Sequence, residues 1–262
     1  MHQTLTIKSQ IAKSFGLACH SYDLSARLQR YSGQLLMADL PANNNSVVLD
    51  LGCGTGFFSH ILARKYSQVF GVDISSDMLN FAKQNRSSAI HWLNADIQQL
   101  PFNDGSVDII YSNLAIQWCE PLIEVLDELK RVLKPGGVIV FSSLLNGTLT
   151  ELQQAWASVD DDKHIIDFKH FNDFESAIAQ TDLQVQRLEQ QAVVLEYDNV
   201  KHLATELKDL GANKVPNKRN KGLAGKSSWQ KMTKAYEVFK DDNGAYPATY
   251  QLCMVTMSKA HA

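Results

Sequence analysis

The chain has 262 residues, 45% hydrophobic and 20% charged, and 25 Lys and Arg against 28 Asp and Glu give a formal net charge of −3. That length buries a sizeable core without disulfides or a structural metal, and the composition excludes a disordered or collagen-like chain. The charge is unevenly placed: seven cations, Lys214, Lys218, Arg219, Lys221, Lys226, Lys231 and Lys234, stand between Gly211 and Tyr236 with no Asp or Glu, which leaves a formal −10 for the remainder.

The opening MHQTLTIKSQ has no apolar stretch before a small-residue cleavage site, and no run of eighteen apolar residues follows anywhere. Neither a secretion signal nor a membrane span is supported, and the cytoplasm is the expected compartment. Ile7, Ile11, Phe15 and Ala18, then Leu24, Leu28, Tyr31 and Leu35, recur at helical spacing, so the first forty residues read as two amphipathic helices ending before Pro41. Short apolar runs then alternate with helical patterns: 47–51, 69–73, 90–95, 107–112 and 138–143. Five strands separated by helices predict a doubly wound parallel sheet, with NDG at 103–105 leading into the fourth strand and KPGG at 134–137 ending a helix before the fifth. Further on come helical stretches near 148–159 and 173–180, a β-like run at 184–195 and a last strand from Thr249. About fifty residues separate those two strands, longer than most connections, which predicts a helical insertion, and they hold the whole cationic stretch. Cys19, Cys53, Cys119 and Cys253 lack CxxC spacing, which predicts reduced, buried thiols with neither a zinc site nor a disulfide framework.

The strongest signal is Leu49-Asp50-Leu51-Gly52-Cys53-Gly54-Thr55-Gly56, a glycine-rich turn between a strand and a helix. Glycines permit positive φ and close backbone approach, and the helix start offers unpaired N–H groups. The dinucleotide pattern G-x-G-x-x-G needs glycine at position 57, where this chain has Phe57, so the turn suits a ligand without a pyrophosphate. Asp73 ends the second strand, where an acid accepts from both hydroxyls of a ribose, and Asp96 follows the third, placed for an adenine amino group. Taken singly, each acid also reads as a solvated strand-end residue. Together with the glycine turn they mark three successive strand ends, where ligands of open α/β sheets bind.

In these residues the chain resembles the class I methyltransferases that use S-adenosylmethionine. The resemblance covers residues 47–143 and implies strand order 3-2-1-4-5-7-6 with an antiparallel seventh strand. It also implies a cofactor site of Asp50, Gly52, Cys53, Gly54, Gly56, Asp73, Ile74, Met78, Asp96, Ile97 and Asn113. The end of the fourth strand, where such enzymes meet the methyl acceptor, reads Ser112-Asn113-Leu114-Ala115-Ile116-Gln117-Trp118-Cys119. It contains no Asn-Pro-Pro-Tyr, the motif that holds an amide or exocyclic nitrogen, and no Pro-Cys that suggests a cysteine nucleophile. Trp118 is either an acceptor-side residue or a core aromatic.

A more particular resemblance runs from end to end. Ile11 to Ala18 with Tyr22-Asp23 and Leu28-Gln29-Arg30, then Ser112 to Cys119, Gly147-Thr148-Leu149 with Glu151-Leu152 and Ala155-Trp156, Leu207-Lys208 with Gly211-Ala212, and Tyr246-Pro247-Ala248-Thr249-Tyr250 are similar to the malonyl-acyl carrier protein O-methyltransferases of biotin synthesis. That family methylates the free carboxylate of a malonyl thioester, giving the ester that primes pimeloyl synthesis. The resemblance implies one methyltransferase domain over 1–262, with a helical lid at 1–42, a cofactor core at 43–145 and a substrate-side extension at 146–262 carrying an insertion at 197–247. Within the lid it implies that Tyr22 closes over the cofactor and that Gln29 and Arg30 meet its carboxylate. Tyr22, Gln117, Trp118 and His164 are the expected substrate residues, with Lys163 beside His164. For Tyr22 helix packing remains open, as does a surface salt bridge for Arg30. Relatives commonly carry His-x-x-Arg-Phe, whereas this chain has His164-Ile165-Ile166-Asp167-Phe168, so an arginine available to pair with malonyl is missing.

A carboxylic acid with a pKa of about 4 is already an anion at neutral pH and needs no general base, so no acid/base residue is expected and catalysis rests on orientation. The cationic stretch reads as a solvated surface, a nucleic-acid contact or a landing surface for an acidic carrier protein. Only Trp229 interleaves the charges and no nucleic-acid module is present, so Lys214, Lys218, Arg219, Lys221 and Lys226 are assigned to the carrier. Two other readings compete: an O-methyltransferase of a free small acid or quinone precursor, and a catalytically silent cofactor-binding regulator.

Overall fold

A computed structural model describes residues 2–212 and 225–261, and of residues 2–6 the backbone alone. Five parallel strands come first: β1 Val47–Leu51, β2 Gln68–Asp73, β3 Ile90–Asn94, β4 Val107–Asn113 and β5 Leu133–Leu144. With β6 Gln184–Tyr197 and β7 Tyr246–Ser258 they form a seven-stranded sheet of order β3-β2-β1-β4-β5-β7-β6, β7 running antiparallel to both neighbours. This is the expected order, and it reverses between β1 and β4, which leaves a crevice at their carboxyl ends.

Alternation along the strands divides the core between two faces. Val48, Ile109 and Tyr111 join one apolar layer, while Leu49, Leu51 and Ile110 join the other. The second layer is closed by α6 (Leu122–Val132), whose Leu122, Val125, Leu126, Leu129 and Val132 are buried along one helical stripe. The first is covered by α3 (Arg27–Ala38), α4 (Phe57–Leu62), α7 (Thr150–Ala157) and, from the insertion, α9 (Val200–Asp209) and α10 (Gly225–Tyr236). The helices α5 (Ser76–Asn85) and α8 (Phe171–Ala179) complete the wrapping.

Three boundaries differ from the sequence-based expectation. The amino-terminal region is three helical pieces rather than two: α1 His2–Ala18, α2 Tyr22–Ser25 and α3. Ala26 leaves the helical region at φ −88°, ψ 47°, and Ser21 Oγ turns to the carbonyls of Ala18 and, at 2.9 Å, Asp209. The KPGG stretch does not end a helix; α6 stops at Val132 and Lys134 to Gly137 lie within β5, held by Gly136 N–H to Lys259 O at 2.8 Å and Lys259 N–H to Gly137 O at 3.0 Å. The last strand starts at Tyr246 instead of Thr249, because Tyr246 to Ala248 pair with Tyr197 to Leu195. The connection between β6 and β7 is helical, as expected, and among its described residues carries α9, α10 and a 3-10 turn at Glu237–Phe239. No described helix is long and apolar enough to cross a membrane.

Candidate active site

The glycine turn leaves β1 with Gly52, Gly54 and Gly56 at φ of +67°, +53° and +73°. The three differ in what surrounds them. A side chain on Gly52 would meet Ala115 and one on Gly56 would meet Trp92, each at 2.3 Å, so these two glycines permit packing. Gly54 has no heavy atom within 4 Å of where a Cβ would stand, and it borders a cleft. Phe57, where a dinucleotide site needs glycine, begins α4 and lines a small cavity beside the turn.

Asp73 at the end of β2 is buried, its Oδ2 accepting from Gly54 N–H at 2.8 Å and its Oδ1 from Ser75 N–H at 2.7 Å. Each oxygen keeps capacity for a further donor. Burial raises the Asp73 carboxyl above its ordinary range, opposed by those two bonds. Asp50 within β1 is pushed up to about 7 by burial first, with Ser59 opposing and the nearby Asp73 adding; its Oδ2 accepts from Ser59 Oγ at 2.5 Å. Asp96 follows β3, where Oδ1 accepts from Gln98 N–H at 3.0 Å and Oδ2 pairs with Lys8 of α1 at 2.5 Å. With Ile74, Met78, Ile97 and Leu114, Asp73 and Asp96 line a cleft roofed by Ile11, Ala12 and Phe15 of α1. The cleft thus offers two carboxylates to donors, apolar plates to a flat ring and open space at Gly54, an acceptor and shape set that fits an adenosyl group without phosphate.

Beside this cleft is a larger cavity of about 340 Å³, lined by Gln29, Gln117, Trp156, His164, Lys208 and Trp229 among mostly apolar side chains. Phe15, Tyr22, Leu114 and Trp118 line both, so the two spaces share a wall. Tyr22 also borders the small cavity beside the glycine turn, with Arg30, Asp50 and Cys53. Burial, and then Asp73 and Asp23, pushes the Tyr22 hydroxyl far above its ordinary range, so it stays protonated. The Cys119 thiol in the cleft is pushed up to about 12 by burial and Asp96, and Cys53 is raised for similar reasons. Neither is a thiolate at neutral pH, and all four cysteines are unpaired.

The amino-terminal helices are tied to both sides of this double cavity. Asp23 of α2 accepts from Thr55 Oγ1 at 2.6 Å and pairs with Arg86, whose Nε donates to Thr55 O at 2.9 Å. Ser14 Oγ donates to Gly211 O at 2.8 Å, and Arg27 pairs with the buried Glu206 of α9 at 2.9 Å. Asn113 at the end of β4 accepts from Ser32 Oγ (2.7 Å) and Ser142 Oγ (2.8 Å) and donates to Gln29 O (2.8 Å).

The structure brings together Tyr22, Gln29, Gln117, Trp118 and His164, five residues expected from sequence, around the larger cavity. His164 stacks on Trp156 with ring centroids 3.7 Å apart and bonds Asp160 at 2.7 Å. Lys163 does not join the cavity lining; it pairs with Asp167, the residue that replaces the expected arginine. Arg30 donates to the backbone carbonyl of Asp23. Of the five expected docking cations, Lys214, Lys218, Arg219 and Lys221 lie outside the described residues, and Lys226 is exposed on α10. Sequence reasoning missed Leu114 and Leu149, non-glycine residues at φ +52° and +57° that line the larger cavity. Left-handed leucines carry no sequence signature, and such backbone clusters at functional sites.

Residues 49–141 match the methyltransferase-domain family. Similar folds include YcgJ from Bacillus subtilis (TM-score 0.64, 17% identity, covering 89% of this chain and 100% of that one). Geranyl diphosphate C-methyltransferase of Streptomyces coelicolor, solved with S-adenosyl-L-homocysteine, gives a TM-score of 0.54 at 15% identity over 89% and 80%. The fold and the acid-lined glycine cleft therefore define an S-adenosylmethionine-dependent methyltransferase of class I. Among curated relatives, the malonyl-[acyl-carrier protein] O-methyltransferase of Pectobacterium atrosepticum is 38% identical over 94% of both chains. The biotin biosynthesis bifunctional protein BioHC of Cellvibrio japonicus is 38% identical over 98% of this chain, which spans about half (51%) of that longer protein. The chain belongs to the malonyl-[acyl-carrier protein] O-methyltransferase family.

Proposed function

We propose that this chain transfers the methyl group of S-adenosylmethionine to the free carboxylate of a malonyl thioester on acyl carrier protein, in the cytoplasm and for biotin synthesis. One observation carries the reading: the similarity to carboxyl methyltransferases extends over 94% of both chains, so it includes the lid and the insertion that wall the second cavity. A shared cofactor core alone would say nothing of the acceptor.

Residues 1–42 act as a lid, 43–145 as the cofactor core and 146–262 as the substrate side. Asp73 and Asp96 take the ribose and adenine donors, Ile74, Met78 and Ile97 pack the ring, and Tyr22, Gln29 and Arg30 stand toward the amino-acid end. Asp96 has to share with, or release, Lys8. The bound cofactor supplies an electrophilic methyl group. This chain aligns an already ionised carboxylate at the wall formed by Phe15, Tyr22, Leu114 and Trp118, and excludes water from it. No proton has to move from the acceptor, so no general base is assigned. Lys226, Lys231 and Lys234 are exposed on α10, the same helix whose Trp229 lines the acceptor cavity, which supports delivery by an anionic carrier.

The test supplies labelled S-adenosylmethionine with malonyl-carrier protein, malonyl-coenzyme A or free malonate. Label in a base-labile ester on the thioesters is expected. Label on free malonate alone favours a small-acid methyltransferase, and cofactor binding without transfer favours a silent regulator.

A further inference from the structure

The larger cavity specifies more of its occupant than methyl transfer requires. Its walls are mainly apolar, yet Gln29 Oε1 and Gln117 Oε1 are buried and accept no hydrogen bond from any described residue. For Gln117 the orientation is fixed, because Nε2 donates to Leu114 O at 2.7 Å and leaves the oxygen over. Gln29 is held at its backbone, where the carbonyl accepts from Asn113 Nδ2 at 2.8 Å, and that asparagine's oxygen is already taken by Ser32 and Ser142. A buried acceptor without a donor is a standing penalty, which an occupant bringing an N–H removes. A carboxylate or phosphate brings only acceptors, so neither of these orphaned oxygens suits the anionic ends of a ligand. Lys208 is the one lysine or arginine among the described residues lining this cavity, and it is solvent-exposed, which places a cation at the mouth rather than at the wall shared with the cofactor cleft.

Resting on the functional reading above, we propose that this cavity holds the amide-bearing pantetheine arm of the thioester. Its amide N–H groups donate to Gln117 Oε1 and Gln29 Oε1 by small rotations of the terminal amides. The malonyl carboxylate then reaches the Tyr22 and Trp118 wall, and the phosphate at the other end of the arm meets Lys208. The chain thereby reads the arm as well as the acid, and a bare malonyl thioester is a poorer substrate.

Four soluble malonyl thioesters separate these contributions: a simple alkyl thioester with no amide, the N-acetylcysteamine thioester, the pantetheine thioester and its 4′-phosphate. With the full chain and S-adenosylmethionine, kcat/KM is expected to rise about five- to tenfold when an amide is added, and again with the phosphate. Gln117→Leu is expected to erase most of the amide gain, chiefly through KM, and Lys208→Ala to erase the gain from the phosphate. Equal kcat/KM for the alkyl and amide-bearing thioesters with the unsubstituted protein would overturn the assignment without relying on any variant's folding. So would a Gln117→Leu loss of the same factor on all four. Transfer to malonyl-carrier protein but to none of the four would overturn this assignment alone, and transfer to neither would remove the functional reading with it.

Discussion

Asp50 and Asp73 look alike in sequence, two acids near strand ends, but their surroundings give them different work. Asp73 faces the cleft with spare acceptor capacity, whereas Asp50 is spent on Ser59 and sits where burial and Asp73 push it up to about 7. A carboxyl whose folded pKa lies above its unfolded value of about 4 contributes stability that is complete below pH 4 and is lost as pH rises toward 7. Asp50→Asn lacks this titration. Urea unfolding at a series of pH values is therefore expected to show the parent losing on the order of 3 kcal/mol more than the variant between about pH 4 and about pH 7. Parallel curves would contradict it. The glycines, Asp73 and Asp96 were legible because backbone freedom and strand-end acids leave marks in sequence. The difference between Asp50 and Asp73 was not, since it depends on a serine nine residues away across a turn.

Among the elements, the strands were legible as short apolar runs and the amino-terminal region and the insertion as helical, while the breaks between their helices were not. Their breaks are set by tertiary bonds: Ser21 turns to Asp209, Ser14 to Gly211 and Arg27 to Glu206, all at the far end of the chain. No local pattern encodes such partners. Arg27 covers the Tyr197 ring at 4.6 Å while pairing with Glu206, whose other oxygen accepts from Tyr197 at 2.8 Å. Removing the guanidinium leaves a buried carboxylate with one partner fewer. Arg27→Ala is expected to lower stability by about 1–3 kcal/mol, read as a lower urea midpoint at constant m-value. A loss under about 0.5 kcal/mol would mean that the tie between α3 and α9 contributes little.

At the scale of the whole molecule, the near-neutral net charge conceals a cationic segment in an otherwise acidic protein. Its described part, α10, packs Met232 and Tyr236 into the core and leaves three lysines outside. Screening reaches exposed charges first, so the carrier's advantage should fade with salt. Reversing Lys218, Arg219 and Lys221 to glutamate is expected to lower kcat/KM on malonyl-carrier protein about tenfold or more at low salt, with a smaller loss on malonyl-coenzyme A. Equal losses on both would remove the landing-surface assignment. The doubly wound sheet and the order of its strands were legible from strand spacing and family resemblance together. The second cavity was not, because its walls come from α3, α7, α9 and α10 and meet only in the folded chain.

The central claim is that the double cavity aligns an already ionised carboxylate with the cofactor's methyl group, without a general base. The most direct measurement is the pH dependence of kcat for malonyl-carrier protein at saturating substrates. A kcat that stays level from about pH 6.5 to about pH 9 is predicted, since the acceptor is an anion throughout and no proton leaves it. A kcat that climbs tenfold per pH unit across that range would reveal an essential base and contradict the account.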